Sequence, residues 1–156
     1  MVTGASSGMG KAIARRLIED GYQVFTAARH VDSMADLARL GAQPLCMDVS
    51  REEQIVAGVD AILAQTGGVD VLVNNAGFGL YGPVEEIGID EARYQFEVNL
   101  FGAARLTQLL LPAMRARQAG HIVNITSMGG KMYSTLGAWY HATKHALEGW
   151  SDCLRL

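Results

Sequence analysis

Near the carboxyl end of the chain, a tyrosine and a lysine stand four residues apart in the stretch Tyr140-His141-Ala142-Thr143-Lys144. On a helix, this spacing places Tyr140 and Lys144 on the same face. A tyrosine alone is a poor acid or base at neutral pH, but a cation one turn away favours its phenolate and makes proton exchange practical. The pair predicts general acid–base chemistry, although a lone tyrosine or lysine on a helix usually serves packing or a solvated surface.

A serine, Ser127, lies thirteen residues before Tyr140 and directly follows a predicted strand. From that position its hydroxyl can reach a substrate oxygen. The spacing therefore predicts a hydroxyl group that assists the tyrosine and the lysine, although a serine alone at this place would be a weak signal.

A glycine-rich turn, TGASSGMG at residues 3–10, joins the first predicted strand to the first predicted helix. Its glycines let the backbone approach a diphosphate, and the helix N-terminus offers free N–H groups and the positive end of a dipole. The spacing is G-x-x-x-G-x-G rather than the commoner G-x-G-x-x-G. The turn predicts a dinucleotide-phosphate site, and the alternative is a tight turn without a ligand.

The end of the second predicted strand decides between the two nicotinamide dinucleotides. A carboxylate there accepts hydrogen bonds from the ribose 2′-hydroxyl and repels a 2′-phosphate. This chain has Ala28-Arg29 at that point, and a guanidinium pairs well with phosphate. We therefore predict NADP(H), with NAD(H) less favoured. The alternative is a solvated arginine in a basic turn with His30.

The elements that position these groups alternate along the chain. The predicted strands are 1–3, 22–28, 45–47, 69–73 and 121–126. The predicted helices are one with Ile13, Leu17 and Ile18 that ends at Gly21, one with Ile55, Val59, Ile62 and Leu63 that ends before Gly67, one over 90–118, and one from Ala138. This alternation predicts the α/β class, a doubly wound parallel sheet of about five strands, with ligands beyond the carboxyl ends of the strands.

Composition excludes several other classes of protein. The 156 residues suit one domain, and 49% hydrophobic residues can bury a sizeable core. A net charge of −3 without a basic block argues against a nucleic-acid partner. No apolar run reaches the roughly 18 residues of a membrane span, and no secretory signal is visible, so we expect a cytoplasmic protein.

The cysteines and histidines predict neither a disulfide framework nor a metal site. Cys46 and Cys153 lack metal-ligand spacing, and we expect both to be buried as small hydrophobic side chains. The four histidines also lack metal spacing. We expect His141 to lie on the surface of its helix rather than to act as a second base.

Together with Asn74-Asn75-Ala76-Gly77 and Asn99, these motifs closely resemble those of the short-chain dehydrogenase/reductase family, over the whole of 1–156. The stretch 138–156 is most similar to the branch that contains 17β-hydroxysteroid and retinol-type dehydrogenases. The resemblance implies a Rossmann fold, a nicotinamide cofactor and a small carbonyl or alcohol substrate. It also implies that helices 90–118 and 138–156 can mediate a homodimer or homotetramer.

The resemblance assigns a role to each motif. It implies a catalytic tetrad in which Tyr140 is the general acid or base, Lys144 tunes Tyr140 and binds the nicotinamide ribose, Ser127 holds the substrate oxygen and Asn99 anchors a water. It implies that Asp48 lies by the adenine. The residues implied in cofactor binding are Thr3, Gly4, Ser6, Ser7, Gly8, Met9, Gly10, Arg29, Asp48, Val49, Asn75, Ala76, Gly77, Tyr140 and Lys144.

The chain departs from the family pattern in its length. Three residues precede Gly4, and after Leu156 there is no sixth strand and no substrate-covering helix. We therefore expect a single NAD(P)-binding domain over 1–156 that is incomplete at its carboxyl end, with its fifth strand at a sheet edge. The leading hypothesis is an NADP(H)-dependent oxidoreductase of a lipophilic ketone, aldehyde or secondary alcohol. The alternative is a nucleotide-binding module without turnover.

Overall fold

The computed structural model describes residues 1–156 and contains one five-stranded parallel sheet. The strands are β1 Val2–Thr3, β2 Phe25–Ala28, β3 Gln43–Cys46, β4 Val71–Asn74 and β5 His121–Asn124. Their order across the sheet is β3-β2-β1-β4-β5, which reverses direction between β1 and β4 as in a doubly wound fold. The predicted fold class is therefore confirmed, and β5 lies at an edge as expected.

Six α-helices connect and flank the strands. They are α1 Gly8–Glu19, α2 Ala35–Arg39, α3 Glu52–Thr66, α4 Ile89–Phe96, α5 Gly102–Arg117 and α6 Ala138–Arg155. The predicted helix 90–118 is continuous through α4, a π turn at Glu97–Phe101 and α5. The sequence did not predict α2 and the 3₁₀ turn Val31–Met34. Both elements are too short to show a helical period in their apolar residues. No helix has both the length and the apolar character that a membrane span requires.

Two apolar clusters cover the two faces of the sheet. Neighbouring residues of a strand point to opposite faces, so Leu72 joins the cluster that includes Leu106 of α5, whereas Val73 joins the cluster that includes Ala14 of α1. Helices α3 and α5 therefore cover one face, and α1 and α2 cover the other. Helices on both faces hold the sheet in place, and the candidate site lies at the carboxyl ends of its strands.

Three expectations from the sequence were wrong. Cys46 and Cys153 are exposed, since Cys46 ends the edge strand β3 and Cys153 lies on the outer side of α6. Strand β2 begins only at Phe25, because the N–H of Tyr22 donates to Leu17 O and still belongs to the end of α1. His141 is buried at 7% exposure because its ring turns inward to hydrogen-bond partners.

Candidate active site

A cleft of about 750 Å³ lies at the carboxyl end of the sheet. The residue that directly follows each strand lines it, and these five residues are Gly4, Arg29, Met47, Asn75 and Ile125. The cleft thus occupies the place where doubly wound sheets bind their ligands.

Most of the residues that the sequence predicted for the site line this cleft. They are Gly4, Ser6, Ser7, Gly8, Met9, Arg29, Asp48, Val49, Asn75, Ala76, Gly77, Tyr140 and Lys144. Four predicted residues, Thr3, Gly10, Asn99 and Ser127, are not part of its wall. Thr3, Gly10 and Asn99 are buried behind it. Thr3 and Asn99 hold the segment after β4 by hydrogen bonds, and Gly10 lets α1 approach the glycine-rich turn closely.

The glycine-rich turn needs its glycines for steric reasons. Gly4 and Gly8 have φ angles of +65° and +53°, in the left-handed region that favours glycine. A Cβ on Gly10 would lie 2.5 Å from the carbonyl oxygen of Gly4, so α1 can approach β1 only with glycine there. Ser7, which caps α1, makes no side-chain hydrogen bond to the first turn. The first-turn amides are therefore available to an anion in the cleft.

Thr3 and Asn75 join the glycine-rich turn to the end of β4. The Thr3 hydroxyl accepts hydrogen bonds from the backbone N–H groups of Asn75 and Ala76, both at 3.0 Å. The Asn75 amide donates back to Thr3 O at 3.0 Å and to Gly4 O at 3.3 Å. These contacts hold the floor of the cleft against the loop that faces it.

Replacing Thr3 with valine should destabilise the protein. Valine keeps the shape but leaves two N–H groups beside a fully buried side chain without an acceptor. We expect the free energy of unfolding, measured by urea denaturation, to fall by about 2 kcal/mol or more. Thr3→Ser keeps the hydroxyl and is the matched control. A valine variant within about 0.5 kcal/mol of the parent would contradict this account of Thr3.

At the end of β2, the cleft presents a cation, Arg29, rather than a carboxylate. Arg29 is exposed and forms no ion pair, so its guanidinium is available to an anion. The nearby Asp48 carboxylate is engaged by the backbone N–H of Ser50 at 2.9 Å and by its hydroxyl at 2.7 Å. Arg29 is therefore the group at this edge of the cleft that can pair with an anion.

Helix α6 brings Tyr140 and Lys144 to the same wall of the cleft, as the four-residue spacing predicted. The Lys144 ammonium lies 6.0 Å from the centre of the Tyr140 ring. Lys144 is 5% exposed and its Nζ donates to Ile125 O at 2.9 Å. Burial lowers the pKa of Lys144. Two further N–H bonds of the ammonium remain for groups in the cleft.

Ser127 caps a short 3₁₀ turn, Met128–Gly130, three residues after the end of β5. Its Oγ accepts a hydrogen bond from the N–H of Gly129 at 3.0 Å. This bond uses a lone pair and leaves the hydroxyl proton of Ser127 free to donate to a substrate oxygen.

Asn99 lies in the π turn between α4 and α5 and is 1% exposed. Its Oδ1 accepts from the N–H of Phe78 at 2.9 Å, and its Nδ2 donates to Phe78 O at 2.9 Å and to the Thr143 hydroxyl at 3.0 Å. The side chain therefore ties the segment after β4 to α6. Because both amide hydrogens are taken, only oxygen atoms of Asn99 are left to hold a water. π turns are often found at functional sites.

Tyr81 is a site residue that the sequence did not reveal. Its ring packs against that of Tyr140, with 5.5 Å between the ring centres and 36° between the planes. It lies in a loop after β4 without periodicity, and its contact with Tyr140 is purely tertiary. No signal in a single sequence could have identified it.

Comparison with known proteins decides the family. A family model described as short chain dehydrogenase matches residues 1–156. The chain belongs to the short-chain dehydrogenase family. The crystal structure of a short-chain dehydrogenase from Streptomyces avermitilis matches with a TM-score of 0.96 and 44% identity, over 98% of this chain and 58% of that one. A metagenomic short-chain oxidoreductase in complex with NADP matches with a TM-score of 0.94 and 38% identity, over 98% of this chain and 72% of that one.

Two curated relatives of this chain have names that state a substrate. The 3-ketodihydrosphingosine reductase of Bacteroides thetaiotaomicron is 36% identical over 100% of this chain and 56% of its own length. Bovine (Bos taurus) retinol dehydrogenase 8 is 35% identical over 99% of this chain and 52% of its own length. The similarity to retinol dehydrogenases noted from residues 138–156 is thus confirmed, and the chain spans about half the length of these relatives.

Glu148 of α6 contacts the residues on either side of Ser127. Its carboxylate accepts a hydrogen bond from the Thr126 hydroxyl and forms an ion pair with Lys131 at 2.9 Å. The Thr126 bond, followed by the Lys131 bond, lowers the pKa of Glu148 below its ordinary value of 4.5. Thr126 and Lys131 lie on either side of Ser127 in the sequence. Their contacts with Glu148 therefore hold the segment that carries Ser127 against α6.

Glu148→Gln should destabilise the protein in a pH-dependent way. A carboxyl with a lowered pKa contributes stability above its ordinary pKa of 4.5 and loses that contribution as the pH falls through its lower folded-state pKa. We therefore expect the variant to have a lower denaturation midpoint at neutral pH, and the difference to vanish in acid. Urea denaturation across the pH range measures it, with the exposed Glu86→Gln as control. A difference that persists in acid would contradict the assignment.

Proposed function

We propose that this protein is an NADP(H)-dependent oxidoreductase. It transfers a hydride between nicotinamide C4 and the carbonyl carbon of a ketone or aldehyde, which is the carbinol carbon of the corresponding alcohol. The observation that carries the proposal is one cleft that holds both the glycine-rich turn and the Tyr140–Lys144 pair. The turn and the first amides of α1 suit the diphosphate of a dinucleotide. The tyrosine and lysine suit proton exchange at the reacting oxygen.

The bound cofactor would supply the hydride in reduction and accept it in oxidation, and the side chains of this chain hold the proton and orient the substrate. Tyr140 donates its hydroxyl proton to the carbonyl oxygen during reduction and accepts a proton from the alcohol during oxidation. Lys144 is held beside Tyr140 by Ile125 O and has two N–H bonds left for the tyrosine side and the nicotinamide ribose. Ser127 donates to the substrate oxygen, and Asn99 anchors a water in the path of the proton.

NADP(H) is the cofactor that the cleft favours. Arg29 is free to pair with a 2′-phosphate, and Ala28 offers no carboxylate to a 2′-hydroxyl. The NADP complex of a relative with 38% identity adds support. Asp48, already engaged by Ser50, is assigned to the adenine side of the cleft.

The substrate is proposed to be lipophilic. Large apolar side chains are exposed on Tyr81, which packs on Tyr140, and in the segment 128–136 that follows Ser127. Their exposed fractions are 53% for Tyr81, 80% for Met128, 53% for Met132, 78% for Tyr133 and 56% for Leu136. Such a patch marks a place where apolar surface is covered on binding. The names of two relatives, a 3-ketodihydrosphingosine reductase and a retinol dehydrogenase, agree with a lipophilic substrate.

A panel assay separates the enzyme from the alternative, a nucleotide-binding module without turnover. NADPH oxidation is followed with linear ketones and aldehydes of increasing length, on this chain and on a chimera that continues after Leu156 with the carboxyl-terminal segment of the Streptomyces avermitilis relative. We expect turnover, with kcat/KM rising with apolar length. If both proteins bind NADPH and neither shows turnover, the result would favour the binding module.

Three further expectations, on the extent of the domain, the oligomeric state and the location in the cell, stay predictions. Residues 1–156 are proposed to act as one NAD(P)-binding domain. A homodimer or homotetramer is proposed to form through α4–α5 and α6. A cytoplasmic location also stays a prediction.

A further inference from the structure

His141, the residue after Tyr140, has every polar atom of its side chain engaged. Its Nδ1 lies 2.9 Å from Gly129 O. Its Nε2 lies 3.0 Å from the backbone N of Ser134 and 2.8 Å from the Ser134 hydroxyl. The ring is 7% exposed, so these contacts are sheltered from water.

The partners of His141 determine where its proton lies. The carbonyl of Gly129 can only accept a hydrogen bond, so Nδ1 must carry the hydrogen. The backbone N–H of Ser134 can only donate, so Nε2 must be the unprotonated nitrogen. The hydrogen bonds therefore select the neutral Nδ1–H tautomer, and a hydrogen on Nε2 would face another N–H.

Two glycines leave the space that this ring occupies. A Cβ on Gly129 would lie 2.8 Å from Nδ1 of His141, and a Cβ on Gly137 would lie 2.6 Å from its Cδ2. The ring thus fills the gap between α6 and the segment 129–137. Both ends of that segment close around one imidazole.

The contact with Gly129 leads directly to the serine of the site. Gly129 accepts from His141 through its carbonyl and donates to Ser127 Oγ at 3.0 Å through its N–H. A shift of Gly129 would therefore change the direction of the free Ser127 hydroxyl proton. His141 follows Tyr140 on α6, so one helix holds the tyrosine directly and the serine through the imidazole.

We propose that His141 is a positioning residue, which in its Nδ1–H form sets the Ser127 hydroxyl relative to the Tyr140 hydroxyl so that both meet one substrate oxygen. This role rests on the proposed function. It is not an acid–base role, because both ring nitrogens are already bonded within the protein.

A pair of variants and a double-mutant cycle test the proposal by turnover. His141→Phe keeps a ring but removes both hydrogen bonds, whereas the amide of His141→Gln offers a donor and an acceptor at a similar separation. We expect His141→Phe to lower kcat by about 10- to 100-fold with unchanged NADP(H) affinity, and His141→Gln to recover most of the loss. In a Ser127→Ala background, His141→Phe should have little further effect, since both act through the same hydroxyl.

Two results would overturn the positioning role. One is a double variant whose loss of kcat equals the product of the two single losses, and the other is a His141→Gln variant as slow as His141→Phe. Nitrogen-15 NMR of the protein is the second measurement and needs no turnover. We expect a protonated Nδ1 and an unprotonated Nε2 for His141, and the opposite tautomer or an averaged signal would overturn the proposal even if His141→Phe fails to fold. If NMR gives the expected tautomer but the parent has no turnover, the proposed function fails and the positioning role fails with it, whereas the hydrogen-bond assignment stands.

Discussion

Tyr140→Phe is expected to lower turnover by about 10²–10⁴-fold, the usual contribution of general acid–base catalysis. The variant loses the hydroxyl that donates the proton and keeps the aromatic ring, whose centre lies 5.5 Å from that of Tyr81. Because that packing is retained, the affinity for NADP(H) should change little. The rate of NADPH oxidation gives kcat, and a fluorescence titration gives the dissociation constant of the cofactor.

A matched control removes the phenolic hydroxyl of another tyrosine. Tyr22 is 60% exposed at the turn between α1 and β2, so Tyr22→Phe makes the same chemical change away from the cleft and should leave both constants unchanged. Tyr140→Phe that keeps more than about a tenth of the parent rate would count against Tyr140 as the proton donor.

The second large effect concerns the choice of cofactor. NADP(H) should bind more tightly than NAD(H) by about 10- to 100-fold, since a charge-assisted contact contributes about 1.5–3 kcal/mol. Arg29→Ala should weaken NADP(H) and leave NAD(H) nearly unchanged. Ala28→Asp should reverse the preference, because a carboxylate repels the 2′-phosphate and accepts hydrogen bonds from the ribose hydroxyls.

Fluorescence titrations of both cofactors against each variant measure these effects. Arg39 is an exposed arginine of α2 outside the cleft, so Arg39→Ala makes the same change in net charge and should leave the NADP(H) preference intact. Equal affinities of the unmodified protein for NAD(H) and NADP(H) would mean that Arg29 is only a solvated surface residue.

Local sequence patterns predicted the elements and much of the cleft because those features depend on neighbouring residues. The glycine spacing at Gly4 and Gly8 anticipated backbone angles that other residues rarely adopt. The four-residue spacing of Tyr140 and Lys144 placed both on one wall, since a helix of eighteen residues leaves no other arrangement. The apolar periodicity of 90–118 was long enough to give its ends within about two residues.

Features that depend on contacts between distant segments were missed or misjudged. Tyr81 meets Tyr140 across 59 residues, and the Nδ1 of His141 meets a carbonyl 12 residues away, so neither contact has a local pattern. A histidine on a helix is polar, and only its tertiary hydrogen bonds explain why it is buried. Cys46 is apolar enough for a core, yet its place at the end of an edge strand exposes it.

Transfer of an isotope label shows whether a hydride passes between the cofactor and a carbonyl carbon. NADPH carrying deuterium at one of the two C4 positions is incubated with the protein and an apolar ketone, and the alcohol is examined by mass spectrometry and NMR. We expect one of the two labelled cofactors to give an alcohol with a single deuterium on the carbinol carbon, and Tyr140→Phe to give almost none. An unlabelled alcohol from both cofactors, or no alcohol while NADPH binds, would contradict it.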